Sequence, residues 1–164
     1  MADLTVGEVW KRREVLERKG ATLLGKLVFE FSRLDMNLGL CVVWVDGGSR
    51  IESLTKQVSD WAFSRRLDYL EAAVSRILPI DSPGRGAYLE WIGRARVVRT
   101  TRNELVHGRW GIDGAGNRLV NVVGLPTSPD QREVGYTLGE LAALVEEMKK
   151  LQHGLSKLVR RWPL

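Results

Sequence analysis

One cysteine and two histidines among 164 residues remove several classes of protein at the outset. A lone Cys41 cannot close an internal disulfide, so the chain is not a small scaffold stapled by cystines. Its place in an apolar run reads as a buried thiol in a reducing compartment. His107 and His153, with that one cysteine, cannot assemble a zinc cluster from His and Cys alone. No apolar run approaches the roughly 18 residues of a membrane span, and the longest, Leu38 to Val45, is far shorter. Asp3, Glu8 and a basic cluster stand where a secretion signal would carry its hydrophobic core. A cytoplasmic location without a membrane partner is expected. Gly114-Ala115-Gly116 does not lead from a strand into a helix, which removes the phosphate-loop and dinucleotide fingerprints. No serine sits in a nucleophile-elbow pattern. No metal and no cofactor are expected.

What is present is an ordinary globular composition. Hydrophobic residues make up 44% and charged residues 27%, which excludes a disordered chain and suits one domain with a real core. A net charge of +5 is compatible with an anionic partner, and its distribution says more than its size. From Arg85 to Arg109 the basic residues are Arg85, Arg94, Arg96, Arg99, Arg102 and Arg109, against only Glu90 and Glu104, and none is lysine. Guanidinium forks match phosphate bidentately, so this run is either a phosphate-binding face or a solvated helix face.

Hydrophobic periodicity predicts a mainly α fold: a helical bundle of four to five helices in one domain, with a small β-hairpin before the last helix. Thr5-Val6-Gly7-Glu8 is a capping box opening a short helix that ends before Gly20. A second helix is expected from Ala21 to Val45, with Leu27, Phe31, Leu34, Leu38, Cys41 and Val45 inward, stopped by Asp46-Gly47-Gly48-Ser49. A third is expected from Ile51 to Leu78, followed by a loop from Pro79 to Gly86. The fourth then runs from Ala87 to His107, with Gly108 as its left-handed C-terminal residue. Arg109-Trp110-Gly111-Ile112 and Arg118 to Val123, around the turn signal Asp113 to Asn117, predict the hairpin, and Pro126 to Gly135 a loop. Thr137-Leu138-Gly139-Glu140 is a second capping box. It opens a helix whose seam is Leu138, Leu141, Val145, Met148, Gln152, Leu155, Val159 and Trp162. Such a seam packs on the core or pairs with a partner helix.

One local oddity carries chemistry. On the fourth helix Trp91, Ala95, Val98, Arg102 and Leu105 form an inward seam, with Arg102 in a slot meant for an apolar side chain. A buried guanidinium must find an acid, carbonyls or a phosphate, or face a cleft. Asn103 and His107, four apart, share a helix face. Arg102 and His107, five apart, diverge by about 140° on an ideal helix. They converge only if the helix loosens near Gly108 or a second protomer supplies one of them. The plainer reading makes His107 a partner of the helix's carbonyl end and pairs Arg102 with an interior acid such as Glu30. Should the anion be RNA, Arg94, Arg99, Arg109 and Trp110 are the candidates for contacting it, the indole by stacking on a base.

Arg102-Asn103-Glu104-Leu105-Val106-His107-Gly108 resembles the motif of the HEPN superfamily (higher eukaryotes and prokaryotes nucleotide-binding domains). That motif is an arginine, a polar residue, a short spacer and a histidine, closing a helix late in a small helical domain. His107-Gly108-Arg109-Trp110 and Phe29-Glu30-Phe31-Ser32-Arg33-Leu34 extend the likeness, which covers Ala21 to Trp110 and the final helix. It implies a metal-independent endoribonuclease of toxin or defence type, acting on single-stranded RNA as a homodimer and restrained by an antitoxin-like partner. His107 would then be the general acid or base, Arg102 would hold the scissile phosphate, and Asn103 would orient either. Glu30 would position Arg102, and the product would be a 2′,3′-cyclic phosphate. The hairpin and loop from Arg109 to Tyr136 depart from minimal members of the family. Catalytically inactive members exist as well, which keeps open a non-catalytic module that dimerises or docks through its long last helix.

Overall fold

The computed structural model describes residues 5–113 and 118–164. Among them five α-helices and a three-stranded antiparallel sheet are formed, the sheet lying between the fourth and fifth helices in sequence. The helices are α1 (Val6–Val43), α2 (Ile51–Ser59), α3 (Phe63–Ile77), α4 (Pro83–His107) and α5 (Leu138–Arg161). The strands are β1 (Arg109–Ile112), β2 (Leu119–Val123) and β3 (Arg132–Tyr136). Among the described residues no helix is long and apolar enough to cross a membrane. The chain divides into two compact units, residues 1–29 with 101–146 and residues 30–100 with 147–164.

Both capping boxes form. The Thr5 N–H donates to Glu8 Oε2 at 2.8 Å, and the Glu8 N–H donates back to Thr5 Oγ1 at 3.4 Å. Thr137 and Glu140 repeat the exchange at 2.7 and 3.1 Å, and the hydrogen bonds from Thr137 hold the Glu140 carboxyl below its ordinary range. The expected break before Gly20 is absent, because α1 runs unbroken from Val6 to Val43. A glycine inside a helix costs only about 1 kcal/mol against alanine. Here Gly20 has a packing reason: a Cβ on it would lie 2.4 Å from Leu119 Cδ1.

In the unit of residues 30–100 and 147–164, the core gathers Leu34, Leu38, Leu67, Leu70, Tyr88, Ile92, Leu151 and Leu155, all buried. The helix stop at 46–48 forms as expected, with Asp46 at φ 61°, Gly47 at 64° and Gly48 at 78°. The helix expected from Ile51 to Leu78 is two. Ala62 is extended at φ −61°, ψ 154°, and Arg66 holds the break by donating to Val58 O at 3.0 Å and to Asp35 Oδ1 at 2.8 Å. Neither proline nor glycine marks this break, and its cause is a side chain reaching across the fold. The loop expected to last until Gly86 gives way to helix at Pro83, a residue suited to the first helical position. Ser82 Oγ accepts the Arg85 N–H at 3.2 Å as the cap.

In the unit of residues 1–29 and 101–146, the sheet has three strands where a hairpin was expected. β3 occupies part of the stretch read as loop and pairs with β2 from Leu119↔Tyr136 to Val123↔Arg132. β1 pairs with β2 from Arg109↔Val122 to Ile112↔Leu119. The turn expected at Asp113 to Asn117 has its residues 114–117 outside the described residues. Gly108 is not left-handed: among the described residues those with positive φ are Asp46, Gly47, Gly48 and Gly124. A Cβ at Gly108 would instead lie 1.8 Å from Asn121 Oδ1, so a close approach excludes larger residues there. Along α5 the predicted seam drifts. Leu151 and Leu158 are buried where Gln152 and Val159 were expected inward. The buried positions Leu141, Val145, Met148, Leu151, Leu155 and Leu158 step by four, three, three, four and three, so the stripe winds around the helix faster than a strict seven-residue repeat would.

Candidate functional site

Arg102, Asn103 and His107 occupy the last two turns of α4, in the unit that also holds the sheet. The helix does not loosen there. It stays α-helical to His107, and the Gly108 N–H continues the pattern by donating to Glu104 O at 2.9 Å. Convergence of Arg102 and His107 therefore cannot come from unwinding. Part of it comes from a side chain: Arg102 Nη1 donates to Asn103 Oδ1 at 3.0 Å. Asn103 and His107 lie about 40° apart on an ideal helix, against about 140° for Arg102 and His107. The half-buried Arg102 thus directs one guanidinium nitrogen toward Asn103, which lies near the His107 face.

The carbonyl end of α4 is closed by the sheet. Asn121, fully buried on β2, donates through Nδ2 to Glu104 O at 2.9 Å. Trp110, on β1, donates its indole N–H to Leu105 O at 2.8 Å, and its ring lies 5.7 Å from that of Tyr136 on β3. Arg132 on β3 forms an ion pair with Glu104. Loss of hydration and then the Glu104 carboxylate push the Tyr136 hydroxyl above its ordinary range. The motif helix is thus fixed to all three strands, and two of its terminal carbonyls have partners without His107. The imidazole is exposed, and among the described residues no hydrogen bond or ion pair engages it.

The remaining candidates are dispersed. Glu30 belongs to the other unit, where its carboxylate accepts from Arg33 Nη1 at 2.7 Å and from Gln152 Nε2 at 2.8 Å. Arg94 is paired with Glu147, and Arg96 with Asp68 and Glu71, so part of the arginine run serves carboxylates on its own unit. Arg99 is half-buried and belongs to that same unit, whereas Arg109 is exposed on β1 beside Trp110. His153 is exposed and its Nδ1 lies 2.9 Å from Lys149 O, a local contact on α5. Among the described residues no group of three or more His, Cys, Asp or Glu side chains could hold a metal ion.

Sequence reading missed Asn121 and the structural part of Trp110. The signal existed for the first: in Leu119-Val120-Asn121-Val122 the strand alternation puts Asn121 on the same face as Leu119, where a polar side chain must have a partner. In comparisons with known proteins, no family model, no curated protein and no solved structure matches the chain.

Proposed function

We propose that the chain is a HEPN-like RNA-binding protein and a metal-independent endoribonuclease acting on single-stranded RNA. One observation carries the reading: the Arg102–Asn103 hydrogen bond turns a guanidinium toward the helix face of an exposed, unengaged His107 imidazole. A cation for a phosphate and a titratable ring for a proton then lie on neighbouring faces of one rigid helix end. In the reaction the ribose 2′-hydroxyl attacks its own 3′-phosphorus. His107 removes the hydroxyl proton, Arg102 stabilises the charge developing on the phosphoryl oxygens, and Asn103 holds the guanidinium in place. The 5′-oxygen of the next nucleotide leaves with a proton, giving a 2′,3′-cyclic phosphate and a 5′-hydroxyl. A second copy facing the first would supply the imidazole that protonates the leaving oxygen, so the active species is a homodimer.

The test is cleavage of labelled single-stranded RNA in excess EDTA by wild type, His107→Ala and Arg102→Ala. His107→Ala is expected to lose about 10²- to 10⁴-fold in rate, and Arg102→Ala about 10²- to 10³-fold. Cyclic phosphate ends are expected on the product. Equal cutting by wild type and His107→Ala overturns the mechanism.

A non-catalytic docking module is favoured by a different observation. An apolar groove of about 290 Å³ lies along the last helix, lined by Leu40, Cys41, Trp44, Leu155 and Val159. Trp44 is 56% exposed, Leu40 52% and Val159 37%, a run of apolar surface unusual for a surface with no partner. Under this reading Trp44→Ser abolishes self-association or partner binding while His107→Ala changes nothing.

A further inference from the structure

Within the unit of residues 1–29 and 101–146, a cleft of about 450 Å³ opens between the first half of α1 and the sheet. That volume falls in the range of ligand pockets, about 300–1,000 Å³. Its apolar lining includes Leu24, Ile112 and Leu119, and its aromatic wall is Trp110. The wall is fixed before any ligand arrives: the indole N–H is committed to Leu105 O, and the ring packs near Tyr136. What Trp110 has left to offer is ring surface.

Arg13 and Glu17, one turn apart on α1, complete the lining with opposite charges. Among the described residues neither is in an ion pair. Arginine four residues before glutamate is the less favourable order for such a pair, and Arg13 lies instead 5.8 Å from the Trp10 ring. The Glu17 carboxylate therefore stands without an ion pair beside an aromatic wall, while the Arg13 guanidinium rests over the Trp10 ring with no carboxylate partner, and the neighbouring Lys11 and Arg12 are exposed.

We infer that this cleft binds one nucleotide of the RNA substrate and reads its base as guanine. The choice of RNA rests on the function proposed above. Recognition of the base rests on the carboxylate. Guanine presents its N1–H and 2-amino group side by side, two donors for the two oxygens of Glu17. Adenine and cytosine place an acceptor next to their amino group, and uracil flanks its single N–H with acceptors. The base stacks on Trp110, as unpaired bases do on aromatic side chains, and Arg13 holds the phosphate through its fork. His107 and Trp110 are three residues apart, no more than about 11 Å of extended chain, so the base bound in the cleft lies close to the scissile bond.

The test is calorimetric titration of the whole chain with 5′-GMP, 5′-AMP, 5′-CMP, 5′-UMP and unphosphorylated guanosine. Wild type is expected to bind GMP about tenfold more tightly than the other three nucleotides. Glu17→Gln removes that preference. Arg13→Ala weakens all four nucleotides by a similar factor and leaves guanosine unchanged. Equal affinity for all four, or no saturable binding of GMP, overturns the inference. A 5′-mononucleotide has no 3′-phosphodiester for the 2′-hydroxyl to attack, so GMP binding persists in His107→Ala. GMP selectivity without RNA cleavage would sink the nuclease and keep the cleft, whereas cleavage without GMP selectivity would do the reverse.

Discussion

Replacing Gly108 with alanine separates two reasons for a glycine at the end of α4. A left-handed backbone would strain any side chain there by about 1–2 kcal/mol, whatever its neighbours. Gly108 is not left-handed, and its Cβ would instead collide with Oδ1 of the fully buried Asn121. Three contributions set the cost. Displacing Asn121 gives up its hydrogen bond to Glu104 O, about 1 kcal/mol net. Forcing a methyl group into a packed interior adds about 1–3 kcal/mol. Restricting the unfolded chain returns about 0.4–1 kcal/mol. Gly108→Ala should therefore destabilise by about 1–3.5 kcal/mol. Asn121→Ala alone should cost about 1 kcal/mol, because Glu104 O keeps the Gly108 N–H and the Asn121 Oδ1, buried without a hydrogen bond among the described residues, disappears. In the Asn121→Ala background Gly108→Ala meets empty space and becomes neutral or stabilising. Urea unfolding of the four proteins, read as shifts of midpoint at constant slope, measures the cycle. A coupling of about 2 kcal/mol is expected. Additivity within about 0.5 kcal/mol, with Gly108→Ala costly in both backgrounds, would refute the close-approach account and restore the left-handed one.

Three further outcomes follow from the structure. Gly84→Ala, which would bring a Cβ to 2.7 Å from the Trp162 ring, should lower the melting temperature by about 2–4 °C per kcal/mol lost in a chain of this length; a rise would mean that Trp162 moves freely. Loss of hydration pushes the Cys41 thiol from its ordinary 9.0 up to about 12, so at pH values below both it is ionised roughly a thousandfold less than a free thiol. Iodoacetamide should accordingly label the half-buried Cys41 slowly in the native chain and quickly in urea, and prompt native labelling would refute its suppressed ionisation. Glu140, its carboxyl lowered chiefly by the Thr137 hydrogen bonds, contributes stability that is present above its unfolded pKa and lost as pH falls through the folded one. Glu140→Gln should remove this acid-side dependence from urea midpoints taken between about pH 5 and 2, and an unchanged slope in that window would show the cap to be idle.

Legibility followed the range of the interactions. Capping boxes and apolar seams are written in residues three or four apart, which is why Thr5–Glu8, Thr137–Glu140 and the Leu27 to Leu38 stripe could be read directly. Glycine misled twice in the same way. Gly20 and Gly108 look like helix punctuation, yet each is small because a side chain from β2 presses against it, Leu119 on one and Asn121 on the other. The break at Ala62 was invisible because its support, Arg66, gains Asp35 as a partner only in the folded chain. β3 was unreadable because Pro126 and Pro129 closely precede a short, polar strand whose pairing depends on β2.

The candidate site shows the same division. Arg102, Asn103 and His107 could be picked out as an unusual group on one helix, but spacing alone left the arginine and the histidine pointing apart. The contact that narrows the gap is between neighbours in sequence, Arg102 and Asn103, and depends on a rotamer that no periodicity encodes. The segment from Arg109 to Tyr136, at first sight an obstruction beside the motif, has a definite mechanical consequence. It supplies Trp110, Asn121 and Arg132, which hold the Leu105 carbonyl, the Glu104 carbonyl and the Glu104 carboxylate in turn. A helix end tied at three points presents Asn103 and His107 at a fixed angle, which a site that must meet a phosphate within a fraction of an ångström requires. Two of the three ties, Trp110 and Asn121, act on backbone carbonyls and do not use the motif's functional side chains. Loosening them by Asn121→Ala should therefore lower the cleavage rate while leaving RNA binding unchanged, and a rate equal to wild type would show that the ties do not position the site.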